Sequence, residues 1–181
     1  LPWAVSEYAT GVSWRWMLSG EYGLLNALLI RLGMLQRPMD FVNLDTAIYV
    51  NAVALAWHVA PLGAFFLLAG LQVIPEDLYR QARIDGAGAL RRFWNITAPF
   101  VSYAVLITLV LSTIFSMNAL DSIILLSNGG PGVASTTATF IAYKETFRSL
   151  NLGYGAAVSY IILALTIGLS LIYFRLLSRR R

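Results

Sequence analysis

Residues 74–99 read IPEDLYRQARIDGAGALRRFWNITAP. This polar, helix-prone stretch lies between two apolar segments, residues 48–74 and 100–126. Each is longer than the roughly 20 residues a helix needs to cross a bilayer core about 30 Å thick. A further segment of this kind covers residues 155–177. A shorter one, residues 1–18, carries Glu7 and Arg15. Spanning β-strands would be about 10 residues long and alternating. These runs are long and continuous, and helices satisfy their own backbone in lipid. The expected fold is an all-α integral membrane protein with four transmembrane helices, at residues 1–18, 48–74, 100–126 and 155–177, and a polar helix-turn-helix over 75–99.

Composition agrees. The chain has 181 residues, 58% hydrophobic and 12% charged, with a mean hydropathy of +0.68. A soluble domain carries about 25% charged residues. There is no cysteine, which excludes disulfides and thiolate metal sites. The chain opens at Leu1 with no basic n-region and cleavage site, so no signal peptide is read and the natural N-terminus is expected upstream.

Orientation follows from Lys and Arg in short loops. The 74–99 loop holds Arg80, Arg83, Arg91 and Arg92, and the C-terminal end holds Arg175, Arg179, Arg180 and Arg181. The other side receives Arg15, Arg31, Arg37, Lys144 and Arg148. The loop and the C-terminus are therefore expected in the cytoplasm of a multi-pass cell-membrane protein, and four spans would place both ends there. The terminal arginines read as a topology anchor, with anionic lipid as a further partner and no nucleic acid. Outside, residues 20–47 contain Tyr22-Gly23-Leu24-Leu25-Asn26. Residues 127–154 open on the turn Asn128-Gly129-Gly130-Pro131-Gly132, before a helical stretch over 137–149.

Within the loop, Pro75 suits a first helical position, and Glu76 and Asp77 favour the first turn. The helix is expected to run to Ile84 and to break at Asp85-Gly86. A second helix follows over 87–94, and Pro99 restarts the chain into the third span. Two readings stand on these residues alone, an amphipathic connector or a docking element for a soluble partner.

The loop resembles the EAA loop of ABC importer permeases, with its Glu-Ala-Ala, Gly and Ile-x-Leu-Pro pattern. Asp85-Gly86-Ala87 match, and Ile96 and Pro99 fall at the family's spacing, with Ala98 in place of Leu. Ala69-Gly70-Leu71-Gln72, Ile74-Pro75, Tyr22-Gly23-Leu24-Leu25-Asn26, Asn128-Gly129-Gly130-Pro131 with Thr136-Thr137, and Gly153-Tyr154 resemble the carbohydrate branch. The matches cover nearly the whole chain in order. The resemblance implies a single permease domain over residues 1–181, holding the last four helices of a six-helix fold. It also implies a second permease subunit, two ATP-binding cassette subunits and an extracytoplasmic solute-binding protein as partners. The sequence contains no G-x-x-x-x-G-K-[ST] stretch. No cofactor is expected in this chain, which is not read as an enzyme; ATP and Mg belong to the partner ATPase. The loop positions for coupling are Glu76, Arg80, Gln81, Ala82, Asp85, Gly86 and Ala87. Arg80-Gln81-Ala82 depart from Glu-Ala-Ala and reverse the charge that helps seat the family's loop in the ATPase. The apolar Leu78 and Ile84 remain available for docking.

A solute path should show polar and aromatic groups at membrane depth. In the third span Ser112, Phe115, Ser116 and Ala119 fall at i, i+3, i+4 and i+7. Asn118, Asp121 and Ser122 form a neighbouring face. In the second span Trp57, His58 and Leu62 surround Pro61, which leaves the Trp57 carbonyl without its helical donor. Aromatic faces with hydroxyls suit a sugar, and the resemblance implies a path from these spans. Each residue has a second reading. Ser112 and Ser116 serve close helix packing, Trp57 packs, His58 is a satisfied core histidine, and Asp121 reaches water at a helix end. Trp3, Trp14, Trp16 and Tyr173 read first as interface anchors.

The chain thus reads as the permease subunit of an ATP-driven importer for a sugar or sugar-like solute. The alternative is a stand-alone ion-coupled secondary transporter, for which Asp121 is the one candidate acid and no internal repeat is visible. An intramembrane hydrolase would have to pair His58 with Ser112, and nothing supports that pairing.

Overall fold

A computed structural model of the chain describes residues 2–178. Among the described residues, three helices are long and apolar enough to cross a membrane. They are α3 (Ala47–Gln72), a helical run over Ala89–Asn118, and α9 (Leu152–Ser178). Most of their leucine, isoleucine and phenylalanine side chains are exposed, as suits helices whose solvent is lipid. The fold is the expected all-α membrane fold, with three candidate spans among the described residues rather than the four expected.

The missing span is residues 1–18. After a short 3-10 turn at Pro2–Ala4, Ser6 caps a new helix, α1 (Glu7–Met17), of only 11 residues. Ser6 Oγ accepts from the Ala9 N–H at 3.2 Å, and Glu7 sits in the first turn. At about 1.5 Å per residue this helix covers half a bilayer core. The parity argument, that four spans return both ends to one side, falls with it. Arg179, Arg180 and Arg181 of the terminal cluster lie outside the described residues, as does Leu1.

The third span also has different ends. Residues 89–118 form one helical run: α5 (Ala89–Arg92), a wide π-helical turn at Phe93–Thr97, and α6 (Ala98–Asn118). Pro99 does not restart the chain. It has no N–H to donate, and the wide turn before it, where the Ala98 N–H reaches back to the Phe93 carbonyl, carries the helix through. At the other end the helix stops at Asn118, and a separate α7 (Asp121–Leu126) follows.

Two shorter helices lie in the loops over residues 20–46 and 127–151. The sequence predicts none between Gly20 and Ala47, yet α2 covers Leu24–Arg31. The expected stretch at 137–149 is α8 (Ala138–Tyr143) followed by a π-turn at Lys144–Arg148. The polar loop after α3 holds α4 (Glu76–Ile84), with Pro75 one residue earlier than expected, at its N-cap.

By contacts the described residues fall into two compact units, residues 2–60 with 116–164, and residues 61–115 with 165–178. In the first unit α1 packs on α7. A Cβ on Gly11 would stand 3.0 Å from Leu125 Cβ and 3.1 Å from Ser122 Cα, so the approach is nearly as tight as backbones allow. In the second unit α3 and α6 meet through small residues. A Cβ on Gly70 would lie 2.6 Å from Ala104 Cβ, and one on Gly63 would lie 2.9 Å from Thr108 Cγ2. Buried Ile74, Val101 and Ala104 form this unit's core, with Leu67, Leu78, Tyr79, Ile96 and Val105 packed around it.

Candidate functional site

The loop over residues 75–88, the candidate coupling element, is built from both of its ends. Ile74, the last apolar residue before the loop, is buried beneath it. On α4, Leu78 and Tyr79 turn toward that core, and the Tyr79 hydroxyl shares a 2.8 Å hydrogen bond with Thr97 Oγ1 in the π-turn. Leu78 is thus not free for docking, contrary to the expectation from sequence. Ile84 is, at 86% exposed.

The helix ends on a Schellman motif. The Ala87 N–H donates to the Ala82 carbonyl at 2.8 Å and the Gly86 N–H to the Arg83 carbonyl at 3.2 Å. Gly86 holds φ = 71°, which only glycine adopts without cost, and no atom lies within 4 Å of where its Cβ would be. The turn faces open space and its shape is local.

Glu76, Asp77, Arg80, Gln81, Asp85 and Gly86 are exposed, and Ala82 and Ala87 half-buried. Arg80 lies 3.1 Å from Glu76 and 3.8 Å from Asp77, on its own helix. Exposed pairs at i, i+3 and i+4 contribute only about 0.2–0.5 kcal/mol each, so a stronger partner could recruit Arg80. Arg83 donates to the Tyr79 carbonyl.

The path residues divide between the units. In the first, Trp57 is 44% exposed and meets Trp14 edge-on, with ring centroids 6.2 Å apart. His58 is buried, its Nδ1 is 3.4 Å from Thr10 Oγ1, and its ring lies against Trp3. Trp3, in the turn before α1, and Trp14, on α1, both expected as anchors, therefore pack on α3 residues, while Trp16 is exposed. In the second unit Leu62, Ser112 and Phe115 are half-buried, and Thr113 donates to the Tyr173 hydroxyl at 3.4 Å. Helix α3 passes through Pro61 without interruption.

Ser112, Phe115 and Ser116 share one face of α6. Ala119 does not join them, because the helix has ended at Asn118, and Ala119 is buried in the connection. The neighbouring face of Asn118, Asp121 and Ser122 is likewise divided by the break. Asp121 is exposed in the first turn of α7, where its charge favours the helix start. Ser122 is buried and donates to Glu7 at 3.2 Å. Among the described residues no three His, Asp or Glu side chains cluster so as to hold a metal ion.

Sequence reasoning missed a set of buried polar pins. Asn51 donates to the Ala47 carbonyl at 2.8 Å and to Ser127 Oγ at 3.0 Å. Ser135 Oγ lies 2.7 Å from Ser127 Oγ and 2.9 Å from the Gly130 carbonyl, sharing its one proton between them, and Thr136 donates to the Gly129 carbonyl. The Asn-Gly-Gly-Pro turn is thus tied by the hydroxyls that follow it. Thr137 then caps α8. A lone polar residue inside an apolar run, as Asn51 is, was the available signal.

Three comparisons bear on this arrangement. Residues 24–181 match the profile of the family described as binding-protein-dependent transport system inner membrane component. The sulfoquinovosyl glycerol transport system permease protein SmoG of Agrobacterium fabrum is 33% identical over 180 residues, 99% of this chain and 58% of that protein. The trehalose/maltose transport system permease protein MalF of Thermococcus litoralis is 34% identical, covering 100% of this chain and 61% of that one. An sn-glycerol-3-phosphate transport system permease protein of Rhizobium meliloti is 35% identical, covering 99% and 61%. The chain thus spans about three fifths of the length of these relatives. Its fold is similar to a solved bacterial ABC transporter involved in the import of the acidic polysaccharide alginate, with a TM-score of 0.81 at 19% identity, over 98% of this chain and 62% of that one. With its three apolar helices and a family match over residues 24–181, the chain belongs to the binding-protein-dependent transport system inner membrane components, a family of multi-pass membrane proteins.

Proposed function

We propose that this chain is the permease part of an ATP-driven importer for a sugar or sugar-like solute. In this reading it forms a solute path with a second permease subunit and receives its solute from an extracytoplasmic binding protein. Two partner ATPase subunits bind ATP and Mg and act on the chain through α4 and the Gly86 turn. The loop and the C-terminus face the cytoplasm, consistent with Arg80, Arg83, Arg91, Arg92 and Arg175. The whole described chain is read as one permease domain. The relatives' names, which specify polyhydroxylated solutes, support the solute class.

The single observation that carries the reading is the form of α4. Its inner side is fixed by Leu78 and by the Tyr79–Thr97 hydrogen bond, while its outer side and its terminal turn are exposed. A short helix held on one side only transmits a push as a rigid body. Because residues 89–118 are one helical run, a push passed on by the Gly86 turn at Ala89 is carried into α6. Along the path, Trp57, Leu62, Ser112, Phe115 and Ser116 offer the aromatic, apolar and hydroxyl surfaces a sugar needs. His58 positions Trp57 through α1, and Ala119 and Asp121 border the end of α6. Arg80 leaves docking intact and changes the partner surface it prefers.

The test is an affinity pull-down from membranes of the full-length protein, with and without Asp85-Gly86 replaced by Ala-Ala. An ATPase subunit recovered with the native protein and lost with the variant is expected. Absence of an ATPase from both samples overturns the reading in favour of an ion-coupled transporter. The same pull-down with Arg80→Glu reads the charge reversal; a large gain in recovery would mean that the native loop docks poorly.

A further inference from the structure

Helix α2 has no role in the path or the coupling loop, and its two sides differ sharply. Asn26, 4% exposed, holds the helix down: its amide donates to the Ser19 carbonyl at 3.1 Å and the Met39 carbonyl at 2.9 Å, and its Oδ1 accepts from the Met39 N–H. Leu25 and Leu29, half-buried, lie on the same side. Gly23, at the N-cap, lets the chain pass so close to Ser19 that a Cβ there would touch its carbonyl. The helix is therefore fixed in one rotation. At 3.6 residues per turn, Leu24, Ala27, Leu28 and Arg31 fall on the opposite arc, and all are exposed. Leu32 and Met34, just past the end of the helix, are 72% and 69% exposed.

The surroundings say what covers this arc. Trp16 and Tyr22, both about two-thirds exposed, meet edge-on beside the helix with ring centroids 6.0 Å apart. Aromatic groups with one polar atom collect at the level of lipid headgroups. Arg31 stands at the centre of the apolar arc, and among the described residues neither it nor Arg37 has an acidic partner. A protein covering the leucines would have to bury or pair that guanidinium. A bilayer does neither, since the arginine stem lies along the apolar surface and its head reaches the phosphates.

We propose that α2 lies flat in the interface of the bilayer that the chain crosses. Leu24 and Leu28 enter the acyl boundary, Trp16 and Tyr22 sit at headgroup depth, and Arg31 and Arg37 meet lipid phosphates. The segment is then a lipid-bound shelf preceding α3, not a water-filled loop.

The experiment uses the full-length subunit in its assembled transporter, with any native cysteines replaced, in vesicles of phosphatidylcholine and phosphatidylglycerol. Spin labels are placed at Leu28→Cys and, as a loop control, at Asp40→Cys. Collision with oxygen, which concentrates in lipid, is compared with collision with a water-soluble nickel chelate. The Leu28→Cys label should collide with oxygen several-fold more than with nickel, and the Asp40→Cys label the reverse. Nickel contact at Leu28→Cys would put the arc in water, and low contact with both reagents would put it under a protein; either result overturns the proposal. If the Leu28→Cys protein does not assemble, Leu24→Cys on the same arc gives the same readout.

Discussion

Replacing Gly86 with alanine should loosen the end of α4 through its backbone alone. The residue holds φ = 71°, and a Cβ there would meet no atom within 4 Å. No steric clash adds to the effect, so the cost is that of a left-handed L-residue, about 1–2 kcal/mol. That corresponds to about a 5–30-fold shift toward the frayed turn. The sensitive reporter is the Ala87 amide, which donates to Ala82 across the motif. Hydrogen exchange followed by mass spectrometry over residues 82–90 should show its protection fall by that factor in Gly86→Ala. Gly86→Asn should fall less, because asparagine tolerates the left-handed region. Gly88→Ala is the control. Gly88 also faces open space but has φ = −65°, so the Ala87 amide should stay protected. Equal loss in Gly86→Ala and Gly88→Ala, or no loss in Gly86→Ala, would refute the argument from backbone conformation.

Two further outcomes follow from the second unit. Gly70→Ala should lower the midpoint of thermal unfolding in detergent more than Gly63→Ala. The first pushes a Cβ to 2.6 Å from Ala104 Cβ, on a residue with no rotamer to move, while the second meets a Thr108 methyl that can turn. Overpacking of this kind costs about 1–3 kcal/mol, and equal midpoints would sink the reading of that contact. In a double-mutant cycle, Tyr79→Phe and Thr97→Val should show a coupling of about 0.5–1.5 kcal/mol. Strictly additive effects would mean that the 2.8 Å hydrogen bond does not hold α4 to the π-turn.

Much of the fold was legible because its signals are local. The long, predominantly apolar and uncharged run before Ile74 marks α3, whose observed ends lie within two residues of those expected. Glu76, Asp77 and Gly86 mark α4 by first-turn charge and by the need for positive φ. What misled was apolar length without its caps. Residues 1–18 are greasy enough to resemble a span, yet Ser6 followed by Glu7 is a helix start, and the chain obeys that cap. Pro99 looked like a boundary because sequence does not reveal that the turn before it widens by one residue. The glycines at 63 and 70, seven residues apart on one side of α3, were a readable packing signal for α6 that hydrophobicity alone conceals.

The break after Asn118 was illegible for a different reason, and it bears most on the candidate path. Ala119 and Leu120 are apolar and helix-compatible, so nothing in their identities stops a helix begun at Ala89. The stop comes from elsewhere in the first unit. Thr139, on α8, donates its hydroxyl to the Met117 carbonyl, one of the last carbonyls of α6 that no helical N–H reaches. Beyond the break, Ser122 is buried against α1 and bonds Glu7, while Arg15 donates to the Leu125 carbonyl near the end of α7. These partners lie more than 20 residues away in sequence, or more than 100 for the two on α1. Helical periodicity carried past residue 118 therefore assigns Ala119 and Asp121 to a face that does not exist. The face that does exist, Ser112, Phe115 and Ser116, lies wholly within α6, where local spacing alone was enough to find it.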